Sequence, residues 1–209
     1  MGKVPVAREG WPFILGPALA ALGLALVGRR KAALPLAAAS LASLGFFRDP
    51  ERVPPQVANA VLAPADGRVT GVEEAVDSFV GPSVRVSIFL SPLDVHVNRS
   101  PIAGRVVDTI YTQGRFLAAY DPKAGDVNER CATHLEGDTA RVTVVQIAGI
   151  AARRIVCRVG PGDKLEAGER FGLIRFGSRT DCYMPRGTDV KVKVGDRVTG
   201  GITIIGMLP

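Results

Sequence analysis

A sharp change in composition at residues 47–55 divides the chain into two parts that must fold differently. The segment reads FRDPERVPP, and its charges and three prolines separate a strongly apolar front from a valine-rich remainder. Each proline removes a backbone donor and restricts the residue before it, so an apolar helix cannot continue through this segment. We therefore expect a hydrophobic helical part over residues 1–47 and a separate domain over residues 48–209.

The front of the chain contains two uncharged apolar runs, residues 11–28 and 32–47, which are separated by the basic triplet RRK. Each run is at or below the length of about 20 residues that a helix needs to span a hydrocarbon core. The pattern predicts a membrane-inserted helical hairpin or a pair of short spans. The second run and the two prolines in the first argue against a cleaved signal peptide. Positive charge flanks both runs, so the charge distribution leaves the topology open.

The remainder of the chain is typical of a mostly β domain. Short alternating stretches rich in Val and Ile are separated by Gly, Asp and Pro, and helical periodicity is nearly absent. The clearest stretches are residues 83–91, 140–148, 152–159 and 189–195.

Internal similarity within this domain predicts its architecture. The segments GDKLEAGERFGLI (162–174) and GDRVTGGITIIG (195–206) both begin with Gly-Asp and continue into a strand. Such half-repeats resemble those of biotinyl and lipoyl carrier domains, whose two similar halves close a flattened barrel. We therefore expect a barrel-sandwich hybrid with few exposed edges.

The net charge of +6 and the pI near 9.6 would suit either a nucleic acid or an anionic membrane. Only 6% of the residues are aromatic, and no platform of interleaved aromatic and basic residues is present. The sequence therefore favours a membrane partner and no nucleic acid.

Cys131, Cys157 and Cys182 are odd in number and widely spaced, without a C-x-x-C pair. This usage argues against a disulfide framework and a zinc site, and it indicates a reducing compartment. We expect the three thiols to behave as small buried apolar groups.

The histidines limit the chemistry, because the chain has only two. His96 lies in SPLDVHVNRSP beside acidic, amide and basic residues, which is an unusually polar setting for a core histidine. His134 lies in CATHLEGD, for which we expect a solvated loop. A metal site built from histidines would therefore lack ligands, and no metal is expected.

Asp66, His96 and Ser178 are the components of an activated hydroxyl, in which the acid orients the imidazole and the imidazole removes the serine proton. Each also has an ordinary interpretation. Asp66 precedes Gly67 as a turn aspartate would, and the pair Gly177-Ser178 is a common turn or bulge signal. No G-x-S-x-G motif is present, which excludes an α/β-hydrolase elbow.

Several longer motifs resemble one family in register. They are FFRDPERVPP, LAPADGRV, IFLSPLDVHVNRSPIAGRV, NER, VQIAGIAARRIV, GDKLEAGERFGLIRFGSRTDCYMP and VKVGDRVTGGITIIG. Over residues 46–206 the chain resembles the short, archaeal-type branch of the phosphatidylserine decarboxylase proenzymes. The hydrophobic front also fits this family.

The resemblance implies that the chain cuts itself between Gly177 and Ser178. The products would be a large chain, 1–177, and a small chain, 178–209, which stay associated. Ser178 would become an amino-terminal pyruvoyl group, which is the cofactor. The ketone of this group would combine with the amine of phosphatidylserine and accept electrons as carbon dioxide leaves, which yields phosphatidylethanolamine.

The resemblance also implies roles for other residues. His96, supported by Asp66, would be the base for maturation and would later protonate the substrate carbon. Arg175 or Arg179 would bind the lipid phosphate or carboxylate. The protein would act at the cell membrane, with its catalytic domain on the cytoplasmic side, and association into homo-oligomers is left open.

Two positions depart from the longer bacterial and eukaryotic branch. That branch resembles Y-H-x-x-H at the histidine motif, where this chain has Arg99 in place of the second histidine. It also has Leu-Gly-Ser-Thr at the cut, where this chain has the residues FGSR at 176–179. If the second histidine is the base in the longer branch, this chain must use His96 or another group.

Two other classes of function are weighed against the enzyme. One is a membrane-anchored carrier or adaptor barrel of the biotinyl type, with Lys191 or Lys193 as the modified lysine, although the Met-Lys-Met setting is missing. The other is a membrane-anchored nucleic-acid binder. Neither class gives a purpose to the acid, histidine and serine.

Overall fold

The computed structural model describes residues 6–117, 124–149, 154–175 and 178–209. Gly177, the first residue of the expected cleavage pair, lies outside the described residues. The chain divides into two compact units, one up to Glu51 and one from Arg52 onward.

The first unit consists of helices, as the apolar runs predict. A short 3-10 helix, Arg8–Gly10, leads into α1 (Trp11–Leu26), and α2 (Arg30–Phe46) packs against α1. The residues of Arg8–Leu26 are together long and apolar enough to cross a membrane.

Polar and aromatic contacts hold this unit together. The buried Ser40 hydroxyl donates to the Ile14 carbonyl at 2.8 Å, which joins α2 to α1. Phe47 is fully buried and stacks on Phe13, with ring centroids 5.5 Å apart. Leucines nevertheless cover the outside of the helices, and Leu26 is 79% exposed. Helices that are apolar inside and outside suit a lipid environment.

The second unit is built almost entirely from strands. In chain order they are β1 (Ala60–Leu62), β2 (Gly67–Asp77), β3 (Gly81–Leu90), β4 (Val97–Arg99), β5 (Gly104–Thr112), β6 (Arg130–Glu136), β7 (Arg141–Ala148), β8 (Ile155–Cys157), β9 (Lys164–Leu165), β10 (Arg170–Ile174), β11 (Ser178–Pro185), β12 (Asp189–Val190), β13 (Arg197–Val198) and β14 (Ile204–Met207). The single helical turn in this unit that the structure describes is α3 (Ala124–Val127).

The main sheet has eight antiparallel strands in the order β13-β2-β3-β11-β7-β6-β5-β9. Two small sheets accompany it, with the orders β1-β14-β12 and β4-β10-β8. The prediction of a mostly β domain behind N-terminal helices is confirmed. The main sheet curls into a half-barrel, and its described edge strands β13 and β9 do not pair with each other, so the sheet is more open than the expected closed barrel.

Strand β11 lies in the middle of the main sheet and separates its two faces. Side chains alternate along a strand, so Ser178 lies on the same face as Cys182 and Met184, which belong to the apolar core. Arg179 and Asp181 lie on the opposite face. Both neighbouring strands extend as far as Ser178, which is in register with Leu90 of β3 and with Ala148 of β7.

Gly67 begins β2 at a point where no side chain fits. Its φ is +151°, and an added Cβ would lie 2.1 Å from the Phe89 carbonyl oxygen of β3. The close approach lets β2 pair with β3 directly after the segment that contains Asp66.

We expect Gly67→Ala to destabilise the protein strongly, by about 3 kcal/mol or more, because backbone must move to accept the methyl group. The measurement is the thermal unfolding midpoint of the purified protein. Gly160→Ala is the matched control, since an added Cβ there meets nothing within 4 Å. Equal midpoints for the two variants would contradict the steric argument.

Candidate active site

Ser178 is the first residue of β11 and is completely buried. Its Oγ has no hydrogen-bond partner among the described residues. A buried hydroxyl without a partner costs about 1–3 kcal/mol, so such groups are rare unless they have a function. The cost points to a chemical role for this oxygen.

His96 is also completely buried, just before β4. Its Nδ1 donates a hydrogen bond to the Asp94 backbone carbonyl at 2.9 Å, because a carbonyl oxygen can only accept. In the neutral ring this bond leaves the basic lone pair on Nε2. The Asp94 backbone carbonyl thus fixes the orientation of the His96 ring, as a carboxylate does in a catalytic triad.

His96 and Ser178 lie at the same end of the sheet. The Ile174 amide donates to the His96 carbonyl at 3.3 Å, and Ile174 lies four positions before Ser178. Ile174 also packs in one apolar cluster with Ala148, the register partner of Ser178. The histidine segment and the serine strand are therefore tied to the same structural elements.

Asp94 anchors the loop that orients His96. Its Oδ2 accepts bonds from the Ser91 amide at 2.8 Å and the Ser91 hydroxyl at 2.7 Å, and Arg197 donates to its Oδ1 at 2.8 Å. Burial alone would raise the pKa of Asp94, but the Ser91 hydrogen bonds and the Arg197 ion pair outweigh burial and lower that pKa. The stabilisation is therefore present at neutral pH and is lost as the pH falls through the lowered pKa.

The Asp66 carboxylate has hydrogen-bond partners near the start and near the end of the domain. Its carboxylate binds both Nη atoms of Arg52, at 2.6 and 2.8 Å, and accepts the Gly200 amide at 2.8 Å. The structure thus brings His96 and Ser178 to one end of the sheet, and it shows Asp66 bound to Arg52 and Gly200. The Asp66 role stays a prediction.

The two arginines proposed for substrate binding differ in their surroundings. Arg179 is buried on the face opposite Ser178, where its Nε and Nη2 bind Asp181 at 2.6 and 2.8 Å and Nη2 also binds Ser87 at 2.9 Å. Arg175 is half-buried between β10 and β11. A guanidinium saturated by a buried carboxylate has little left for a lipid. The roles of Arg175 and Arg179 in substrate binding stay predictions.

A buried polar network that sequence reasoning missed lies beside Ser178. Gln146 donates to Asn98 at 2.8 Å, Asn98 donates to the Thr180 hydroxyl at 3.3 Å, and all three side chains are fully buried. Strand alternation predicts that Thr180 lies on the same face as Ser178. It does not predict that Thr180 lies opposite Gln146 of β7 or that it accepts a hydrogen bond from Asn98 of β4.

The NER motif also has a structural role that the sequence did not indicate. Asn128 is fully buried and binds the backbone of Leu117 through both of its amide atoms, at 2.9 Å each. Its Nδ2 also donates to the Ala148 carbonyl at 2.8 Å. Asn128 thereby fixes the end of β7 next to Ser178.

The expectation that His134 is a solvated loop residue is wrong. His134 lies in β6, is buried, stacks on Phe79 with centroids 4.7 Å apart, and shares a 2.9 Å hydrogen bond with Thr143. It lines a cavity of about 250 Å³ on the outer face of the sheet, together with Asp77 and Asp181. Residues on neighbouring strands bury His134, and the sequence around His134 does not show which strands are its neighbours.

Within the described ranges, no three His, Cys, Asp or Glu side chains form a group that could hold a metal ion. The polar side chains that the structure places beside Ser178 are the amides of Gln146 and Asn98 and the hydroxyl of Thr180.

The sequence of the chain is similar to those of decarboxylases that act on a phospholipid. The sequence profile of the phosphatidylserine decarboxylase family matches residues 41–206. The chain belongs to this family.

Curated relatives agree over nearly the full length. The chain is 50% identical over 212 residues to the phosphatidylserine decarboxylase proenzyme of Symbiobacterium thermophilum, covering 100% of the chain and 98% of the relative. It is 48% identical to the proenzyme of Nitrosomonas eutropha, with 96% and 94% covered, and 45% identical to that of Geobacter metallireducens, with 99% and 98% covered.

One of the three cysteines is less buried than expected. Cys131 and Cys182 are buried, as predicted, whereas Cys157 is half-buried. A hydrogen bond from Cys131 lowers the pKa of the Cys157 thiol below its usual value and raises that of Cys131. Burial raises the pKa of Cys182.

Because the thiolate is the nucleophile, we expect iodoacetamide at pH 7 to alkylate Cys157 much faster than Cys182. Peptide mass spectrometry over a time course measures both rates in one sample. Cys131→Ala should slow alkylation of Cys157 by removing the hydrogen bond. Preferential labelling of Cys182 would contradict the assignment.

Proposed function

We propose that this chain cuts itself between Gly177 and Ser178 and then decarboxylates phosphatidylserine to phosphatidylethanolamine. The observation that carries the proposal is the buried Ser178 hydroxyl, which begins a central strand and has no hydrogen-bond partner among the described residues. It lies inside the segment that matches the family profile.

The cut follows from ordinary acyl chemistry. The Ser178 Oγ attacks the Gly177 carbonyl carbon, the bond from that carbon to the Ser178 nitrogen breaks, and the nitrogen takes a proton. The resulting ester loses the Ser178 Cα proton, and its Cβ–Oγ bond breaks, which releases the Gly177 carboxylate. Hydrolysis of the remaining dehydroalanine releases ammonia and leaves a ketone at residue 178.

His96 is the base in this proposal. Its Nδ1 is committed to the Asp94 carbonyl, so Nε2 is the nitrogen that can take the Ser178 proton. The same nitrogen can later return a proton to the substrate carbon. Asp66 is kept as a supporting acid, which would exchange its Arg52 bonds for a contact with His96.

The pyruvoyl group supplies a carbonyl that accepts the electrons released when carbon dioxide leaves. The surroundings of Ser178 suit it, because a buried position at the start of a strand holds the group still and excludes water. Arg175 is proposed to bind the lipid phosphate or carboxylate, and Arg179 to hold Asp181 and the strand behind it.

Both chains should stay together after the cut. The small chain, 178–209, contains β11, which pairs with β3 from Arg179 to Pro185 and with β7 from Arg179 to Tyr183, beyond the cut peptide. Strands hydrogen-bonded on both edges do not separate without unfolding the sheet.

We place the enzyme at the cell membrane. The apolar residues of Arg8–Leu26 could cross or enter the bilayer, and Arg29 and Arg30 would attract anionic lipid such as the substrate. The catalytic domain is proposed to face the cytoplasm, and association into homo-oligomers is open.

The carrier alternative retains one argument, which is the similarity of the two half-repeats to biotinyl and lipoyl domains. A lysine that carries a modification in such a domain should be exposed at a turn. Lys191 instead forms an ion pair with Asp189. The decarboxylase accounts for His96 and Ser178, and the carrier does not.

We expect Ser178→Ala to remain a single full-length chain without decarboxylase activity, because no oxygen is left to attack the Gly177 carbonyl. Intact mass spectrometry should show two chains for the wild type, the smaller beginning with a pyruvoyl group. Thr188→Ala is a control that lies beyond the other end of β11 and keeps the nucleophile, and it should still yield two chains. A complete cut in Ser178→Ala would exclude the mechanism.

Asp66→Asn and Arg52→Gln break the same partly buried ion pair, so both should lower the thermal unfolding midpoint by similar amounts. If Asp66 also supports the base, we expect Asp66→Asn to slow self-cleavage about tenfold or more relative to Arg52→Gln. The rates are measured by following the uncut chain on gels after synthesis in a cell-free system.

Equal rates for the two variants would restrict Asp66 to its bonds with Arg52 and Gly200. His96→Ala, by contrast, should block the cut whichever outcome is found for Asp66.

A further inference from the structure

Two buried polar atoms with complementary needs lie on the same face of neighbouring strands. Neither the Ser178 Oγ nor the Gln146 Oε1 has a hydrogen-bond partner within the described residues. Ser178 can donate a hydrogen bond, and a carbonyl oxygen can only accept one. Leaving either atom unsatisfied costs about 1–3 kcal/mol.

The strand register brings the two residues within reach of each other. Gln146 of β7 is opposite Thr180 of β11, and Ser178 is two positions further along the same face. Such diagonal neighbours have their Cβ atoms about 7–8 Å apart, a gap that a long side chain can cross. A rotation of the Ser178 side chain would suffice to direct its hydroxyl towards β7.

The orientation of the Gln146 amide is fixed by the network behind it. Its Nε2 donates to the Asn98 Oδ1 at 2.8 Å, and Asn98 in turn donates to Thr180 at 3.3 Å. With the nitrogen committed to Asn98, the oxygen is the amide atom that remains available.

The Gln146 amide packs closely against the backbone of Gly172. An added Cβ at Gly172 would lie 2.7 Å from the Gln146 Nε2 and 2.6 Å from the Val156 carbonyl oxygen. A glycine inside a strand weakens that strand, so its presence in β10 is explained by the close approach of this amide.

We infer that Gln146 is a positioning residue for the Ser178 hydroxyl during self-cleavage, an inference that rests on the proposed function. Its Oε1 accepts a hydrogen bond from the hydroxyl and so holds the oxygen ready to turn towards the Gly177 carbonyl carbon. An amide oxygen is too weak a base to keep the proton, which passes to His96. Asn98 and Thr180 act through Gln146.

The test compares Gln146→Met, which keeps the side-chain volume, with Gln146→Glu, which keeps an acceptor. Each full chain is synthesised in a cell-free system, and the uncut fraction is followed on gels from pH 5 to 9. Hydroxylamine is added in parallel, because it cleaves an ester and so reports the step before elimination.

We expect Gln146→Met to cut about 10²-fold more slowly than the wild type and to show no hydroxylamine-sensitive ester, because the hydroxyl is misplaced. Gln146→Glu should cut within about tenfold of the wild-type rate, with a rate that rises as the new carboxyl group ionises. A purely structural role would not produce this new pH dependence.

Thr143→Val is the matched control. Thr143 is equally buried on the same strand, but it lies on the other face and bonds Asp77 at 2.8 Å. This variant also loses buried hydrogen bonds and should be destabilised, yet it should cut at the wild-type rate. Thermal unfolding followed by circular dichroism, measured for every variant, separates loss of fold from loss of positioning.

If Gln146→Met fails to fold, Thr180→Val becomes the deciding variant. It loosens Asn98 without touching Gln146 and should slow the cut about tenfold.

The outcomes distinguish the inference from the function on which it rests. A wild-type rate in folded Gln146→Met, or an uncut chain that hydroxylamine cleaves, overturns the positioning role and leaves the decarboxylase intact. A wild-type chain that never cuts overturns the proposed function itself.

Discussion

The pairing of β11 with β3 and β7 is the interaction on which the rest of the structure depends. It places Ser178 between two long strands, buries its hydroxyl, and divides the polar residues of β11 between two faces. On one face Ser178 and Thr180 meet the amide network, and on the other Arg179 pairs with Asp181. A shift of one residue in register would exchange these faces. The position of Ser178 beside the amide network therefore depends on this strand pairing.

Buried polar groups hold the site in place more than apolar packing does. Asn128 binds the ends of two segments, Asp94 fixes the loop before His96, and Arg52 joins the start of the domain to Asp66. Each of these groups would be costly to bury alone, and each has at least one partner on a separate segment: Ala148 for Asn128, Arg197 for Asp94 and Asp66 for Arg52. The site is therefore available only in the folded domain.

The sequence predicts the strands well, because strands depend on local pattern. Alternation identifies the β domain, and the setting of His96 already separates it from a routine core histidine. Partner choice is decided by tertiary structure, and the expectation for His134 is wrong for this reason. His134 is buried by strands β6 and β7, Asp66 binds Arg52, and the bond from Asn98 to Thr180 spans 82 positions. No local pattern encodes which strands become neighbours.

The position of β11 after the proposed cut point has a consequence for the lifetime of the molecule. Before the cut, folding is an event within one chain. After the proposed cut the same sheet would be made by two chains, so unfolding would release a separate fragment whose return depends on concentration. Since the severed peptide would not re-form, the lifetime of the two-chain molecule would be set by how slowly the sheet opens, which is kinetic stability.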